Sequence, residues 1–76
     1  MMRLKENVDM VRFLQTVKRC EADVYLETDE NDRLNLKSVL SQYVAVVMTS
    51  DKELLKKCYI TCDDKDREKL KEFVES

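Results

Sequence analysis

The sequence predicts an α+β domain. Four mostly antiparallel strands form an open-faced sheet with three helices on one face, in the order β-α-β-β-α-β-α. Three observations carry this. Apolar residues recur at helical spacing in an early and a late segment. They alternate with polar residues in three short segments between. The 76 residues leave room for one core, so residues 1–76 are one domain.

Met2-Arg3-Leu4-Lys5 reads as a short first strand. Asn7 is a good N-cap, with Asp9 placed where a helix dipole favours negative charge. Met10, Phe13, Leu14, Val17 and Cys20 then recur at i, i+3, i+4, i+7 and i+10, which predicts a helix over about residues 8–20. Ala22, Val24, Leu26 and Thr28 alternate with Asp23, Tyr25 and Glu27, a half-buried strand. Asp29-Glu30-Asn31-Asp32 is a turn, and Asn31 suits a left-handed position. Leu34 and Leu36 alternate with Arg33, Asn35 and Lys37, a second strand and hence a hairpin. Asp23 and Glu27 are expected to meet Lys37 and Arg33 across it.

Ser38 is the expected N-cap of a helix through about Met48, with Leu40, Val44 and Val47 inward and Val39 and Tyr43 at its edge. Ser50-Asp51-Lys52-Glu53 has a capping-box pattern leading into Leu54-Leu55. Cys58, Ile60 and Cys62 alternate with Tyr59 and Thr61, a strand. Asp63 or Asp64 caps a last helix with Leu70, Phe73 and Val74 as its apolar stripe. The expected core face holds Val24, Leu26, Leu34, Leu36, Cys58, Ile60 and Cys62.

Composition excludes several function classes. The chain has no His, which removes His general-base chemistry, His metal ligands and phosphohistidine. It has no Gly, so it holds no glycine-rich phosphate loop. A net charge of −2 argues against nucleic acid as a partner. The longest apolar run, Tyr43 to Met48, is too short for a membrane span. The N-terminal residues do not read as a secretory signal, and three cysteines are an odd number. Free thiols in a reducing cytoplasm are therefore expected.

Residues 21–40 carry a more specific signal. Glu21-Ala22-Asp23-Val24-Tyr25-Leu26-Glu27, a turn, then Leu34-Asn35-Leu36-Lys37-Ser38-Val39-Leu40 resembles the phosphocarrier protein HPr family of the sugar phosphotransferase system. That family has a D-A-D-V-x-L-E strand leading through a hairpin to V-N-L-K-S-I-M, and the same element order. The resemblance extends from about Val8 to Glu75 and implies an HPr-like open-faced β-sandwich. It implies a regulatory serine at Ser38 and a docking patch around it at Val39, Leu40 and Tyr43, to which we add Lys37 at the rim. The family's catalytic G-L-H-A-R-P-A motif is replaced here by Lys5-Glu6-Asn7-Val8-Asp9-Met10, with Gly, His, Arg and Pro all missing. The family's phosphotransfer activity therefore does not carry over. The expectation is a non-catalytic regulatory or protein-binding module, not an enzyme, with no cofactor and a protein partner. The alternative is a small structural or designed α+β domain without a phosphotransferase-system role.

Other residues have two readings each. Ser38 is a phosphorylation site or a plain N-cap. Glu6, at the position of the family's catalytic His, is a mimic of its charged form or a solvated acid. Glu27, Asp29, Glu30 and Asp32 hold a cation or simply solvate a turn. Tyr25 and Tyr59 stack nucleobases or cover a sheet. Cys58 and Cys62, four apart on a strand, are about 13 Å from each other at ~3.3 Å per residue, too far for a shared disulfide or metal.

Overall fold

The computed structural model describes residues 2–75. Helix α1 (Met10–Val17) precedes a hairpin of β1 (Tyr25–Thr28) and β2 (Arg33–Asn35). Helices α2 (Val39–Thr49) and α3 (Lys52–Lys57) follow, then β3 (Cys58–Thr61) and a short α4 (Arg67–Leu70). Single 3₁₀ turns, Asp64–Asp66 and Lys71–Phe73, flank α4.

The sheet has three strands in the order β2-β1-β3, all antiparallel, rather than the four expected. Met2–Lys5 makes only two isolated bridges, Met2 to Ile60 and Leu4 to Val74. The cause is a divided allegiance. Met2 O accepts from Ile60 N at 2.7 Å on one side, while Arg3 O accepts from Glu75 N and Lys5 N donates to Phe73 O on the other. The segment fills the seam between β3 and the C-terminal residues without forming a ladder with either.

The hairpin register follows the alternation. Leu26 lies opposite both Leu34 and Ile60, and Thr28 opposite Cys58, so these side chains share one face. That face forms a single core with Phe13 and Val17 of α1, Ala45 of α2, Leu55 of α3 and Leu70 of α4. All four helices among the described residues, one more than the three expected because Lys52–Lys57 forms a helix of its own, therefore lie on one face of the sheet. Phe73 meets Phe13 edge-on, ring centroids 5.5 Å apart. Asn31 turns the hairpin at φ 68°, the left-handed conformation that a chain without glycine assigns to asparagine.

Several boundaries and caps differ from expectation. Helix α1 begins later, because the Asp9 carboxylate, not Asn7, accepts the Arg12 N–H at 3.2 Å. It ends at Val17, leaving Cys20 beyond the helix yet buried. Helix α3 is capped by Asp51, which accepts from Glu53 N at 2.9 Å, while the Ser50 hydroxyl turns back to Val47 O. Asp63 does cap the C-terminal segment, accepting from Lys65 N. Val74 has left that helix and extends beside Leu4. Leu36 lies just past β2, completely buried, donating its N–H to Val24 O at 2.8 Å. Leu34 is only half-buried, and Cys62 lies past the end of β3, half-buried as well.

The largest correction concerns α2. Leu40, Val44 and Val47 are expected inward, but all three are exposed. The buried residues are Ala45 and Thr49, with Met48 half-buried beside them. The helix is thus rotated by roughly 130° from the orientation its largest side chains suggest. Ala45 lets the helix approach the core closely, and the Thr49 hydroxyl is satisfied by Ala45 O at 2.8 Å.

Candidate functional site

The rotation of α2 creates the candidate site. Val39, Leu40, Tyr43, Val44, Val46 and Val47 all face solvent, and the first three are 74% exposed. At about 100° per residue they cover an arc of roughly 160° on the helix. Between α2 and α1 this face falls into a shallow groove lined by Leu14, Val39, Gln42, Tyr43 and Val46. Val11, also exposed, lies one turn before Leu14 on the same side of α1 and extends the strip. No residue from Val39 to Thr49 carries a charge. Contiguous exposed apolar surface of this kind is uncommon on a small domain, which makes this face the candidate site.

The entry to α2 is held by three hydrogen bonds. Asn35 Oδ1 accepts from Lys37 N, and Asn35 O accepts from Ser38 N, both at 3.0 Å. Gln42 Nε2 donates to Leu36 O at 2.9 Å, tying the first turn of the helix back to the residue that anchors the core. Ser38 occupies the N-cap position with extended backbone, φ −86° and ψ 131°, but its side chain makes no capping bond. Ser38 is exposed and immediately precedes the first-turn N–H groups, which have no partner within the helix.

The four residues expected around Ser38 do not all join it. Val39, Leu40 and Tyr43 form the near end of the exposed strip. Lys37 points elsewhere, its Nζ donating to Cys20 O, which pins the α1–β1 connection to the start of α2.

Several of the other sequence candidates are engaged in structural contacts. Glu6 pairs with Lys52 at 3.1 Å in an exposed contact that water and salt screen. Asp32 accepts from the Thr28 hydroxyl at 3.0 Å. Among the described residues, no cluster of three or more metal-ligating side chains is present. Glu27 faces Arg33 in register but accepts instead from the Thr61 hydroxyl at 2.6 Å. The Arg33 guanidinium lies 3.8 Å from the centre of the Tyr25 ring, covering the face that a nucleobase would use. Asp23 accepts from the Tyr25 hydroxyl rather than pairing with Lys37. Burial pushes the Cys20, Cys58 and Cys62 thiols up from their ordinary value, so all three are protonated at neutral pH.

One functional-looking residue escapes sequence reasoning. Asp66 is completely buried, its two carboxylate oxygens accepting from Glu21 N at 2.9 Å and Ala22 N at 3.0 Å. The Lys69 ammonium stands 3.2 Å away. The Ala22 and Glu21 N–H bonds, followed by Lys69, hold its pKa down to about 2. With both oxygens committed to the protein's own groups, it clamps the α1–β1 connection to the C-terminal segment.

No family model matches the sequence, and no curated protein or solved structure is detectably similar to it. No helix among the described residues is long and apolar enough to cross a membrane.

Proposed function

We propose that this chain is a non-catalytic HPr-like protein, a regulatory and protein-binding module related to the sugar phosphotransferase system. It does not carry phosphohistidine, because it contains no histidine. The observation that carries the reading is the uncharged, exposed apolar face of α2, which begins immediately after Ser38. The HPr likeness is read from residues 21–40, and the observed order of an extended segment, helix, hairpin, two helices, strand and C-terminal helix differs from the family order by the extra short helix α3 and by the first segment's not joining the sheet. In this reading Val39, Leu40 and Tyr43 contact a protein partner, and Ser38 is the regulatory position. A phosphate there meets unpaired N–H groups and the positive end of the helix dipole, while placing a dianion on the rim of an apolar interface.

Two incubations test it. With HPr kinase and ATP, phosphoserine is expected at Ser38. With enzyme I and phosphoenolpyruvate, the protein is expected to stay unlabelled. An acid-labile phosphoryl adduct, or an unmodified Ser38 in the first incubation, overturns the regulatory reading.

A further inference from the structure

We infer that the outer face of α2 is closed by a second copy of this chain, with α2 packed antiparallel on α2 across a two-fold axis. The inference rests on the reading of that face as a protein interface and names its occupant. Charged residues make up 39% of the chain, yet α2 has none. A partner steered by charge finds nothing to pair with here. A membrane-binding helix would carry basic residues along its polar face, and α2 has no Lys or Arg. A two-fold interface makes a different demand, that one surface complement itself. An uncharged strip meets that demand without burying an unpaired charge.

The size and spacing also fit. Six exposed side chains on α2, with Val11 of α1 beside them, present an area on the order of the ~800 Å² per partner of a standard interface. The strip runs from Val39 to Val47, and Tyr43 is its midpoint. A two-fold axis beside Tyr43 therefore sets Val39 of one copy opposite Val47 of the other, and Leu40 opposite Val46. Tyr43 becomes the central aromatic anchor, next to the groove against Leu14.

This pairing has a specific test. The full chain should sediment as a dimer that dissociates on dilution. Val39→Lys and Val47→Glu should each weaken it by ~100-fold or more, because each places two charges in the apolar interface. Mixing the two variants should restore the dimer, since the lysine introduced in one copy then faces the glutamate introduced in the other. A wild type that is monomeric at every concentration overturns the inference, and so does a wild-type monomer that sediments with phosphatidylglycerol vesicles. Single variants that stay dimeric, or a mixture that stays monomeric, overturn it as well. In these cases phosphoserine formation at Ser38 still decides the regulatory reading separately. If circular dichroism shows both variants unfolded, the face belongs to the core and both readings fall.

Discussion

The buried Asp66 carboxylate accepts the backbone N–H of Ala22 at 3.0 Å, forty-four residues earlier in the chain. With the matching bond from Glu21, it fastens the connection between α1 and β1 to the C-terminal segment. Its pKa is lowered from the ordinary 3.8 to about 2. A carboxylate depressed in the folded state contributes stability that is fully present above its unfolded value and lost as pH falls through the folded one. Thermal melts at stepped pH should therefore show a loss of stability between about pH 4 and pH 2. Asp66→Asn turns an NH₂ donor toward one of the two N–H groups. It should lower the Tm at neutral pH and flatten that acid limb. An unchanged acid limb would show that other carboxylates dominate it.

Leu36 and Asn35 are neighbours with opposite environments. Leu36 is completely buried, whereas Asn35 lies on the other face and offers Oδ1 to Lys37 N. Leu36→Asp buries an unpaired carboxylate at a cost of several kcal/mol, against a total stability of ~5–15 kcal/mol, and should unfold the domain. Asn35→Asp keeps the acceptor and should cost under about 1 kcal/mol. Chemical denaturation of both variants reads this directly. Similar behaviour in the two would mean the strand is displaced by one residue, since such a slip exchanges faces.

The residues that were legible in the sequence are those whose partners are local. Asn31 closes the hairpin, and Leu26, Leu34 and Ile60 share a face, because turn chemistry and period-two alternation act over a few residues. Asp66 was not legible, because its ligands are backbone groups far away in sequence and nothing in Asp63-Asp64-Lys65-Asp66 distinguishes it. The strand expected at Met2–Lys5 failed for a related reason: two distant segments compete for its hydrogen bonds. Ser38, Val39, Leu40 and Tyr43 were picked out by resemblance. The rest of the exposed strip was hidden because the polar Ser41, Gln42 and Thr49 share the Ala45 side of α2, so periodicity points the larger apolar arc inward, opposite to the side that packs on the core.

The orientation of α2 is itself testable. Ala45 is fully buried and Leu40 is mostly exposed. Ala45→Leu should overpack the core by about 1–3 kcal/mol and lower the Tm accordingly, at about 4–8 °C per kcal/mol for a domain of this size. In dilute solution Leu40→Lys should change stability by no more than about 0.5 kcal/mol. The opposite pattern, with Leu40→Lys unfolding the protein and Ala45→Leu tolerated, would place the large apolar residues inside.

Ser38 separates a capping role from a modifiable one. An N-cap serine whose side chain bonds to the helix loses about 1 kcal/mol on replacement by alanine. Here the Ser38 side chain makes no such bond. Its backbone does the local work, donating to Asn35 O and accepting from Gln42 N, each at 3.0 Å. Ser38→Ala leaves both bonds in place and should cost only a few tenths of a kcal/mol, about a third of an ordinary cap. Ser38→Asp adds a negative charge where the helix dipole favours it and should stabilise by about 0.3–1 kcal/mol at low ionic strength, an effect that shrinks as salt is raised. A full-sized loss on alanine substitution would mean the hydroxyl does cap α2 in solution, and phosphorylation would then have to break that bond first. A small loss with a salt-sensitive gain from aspartate would describe a serine that is dispensable for folding and placed where an anion is welcome.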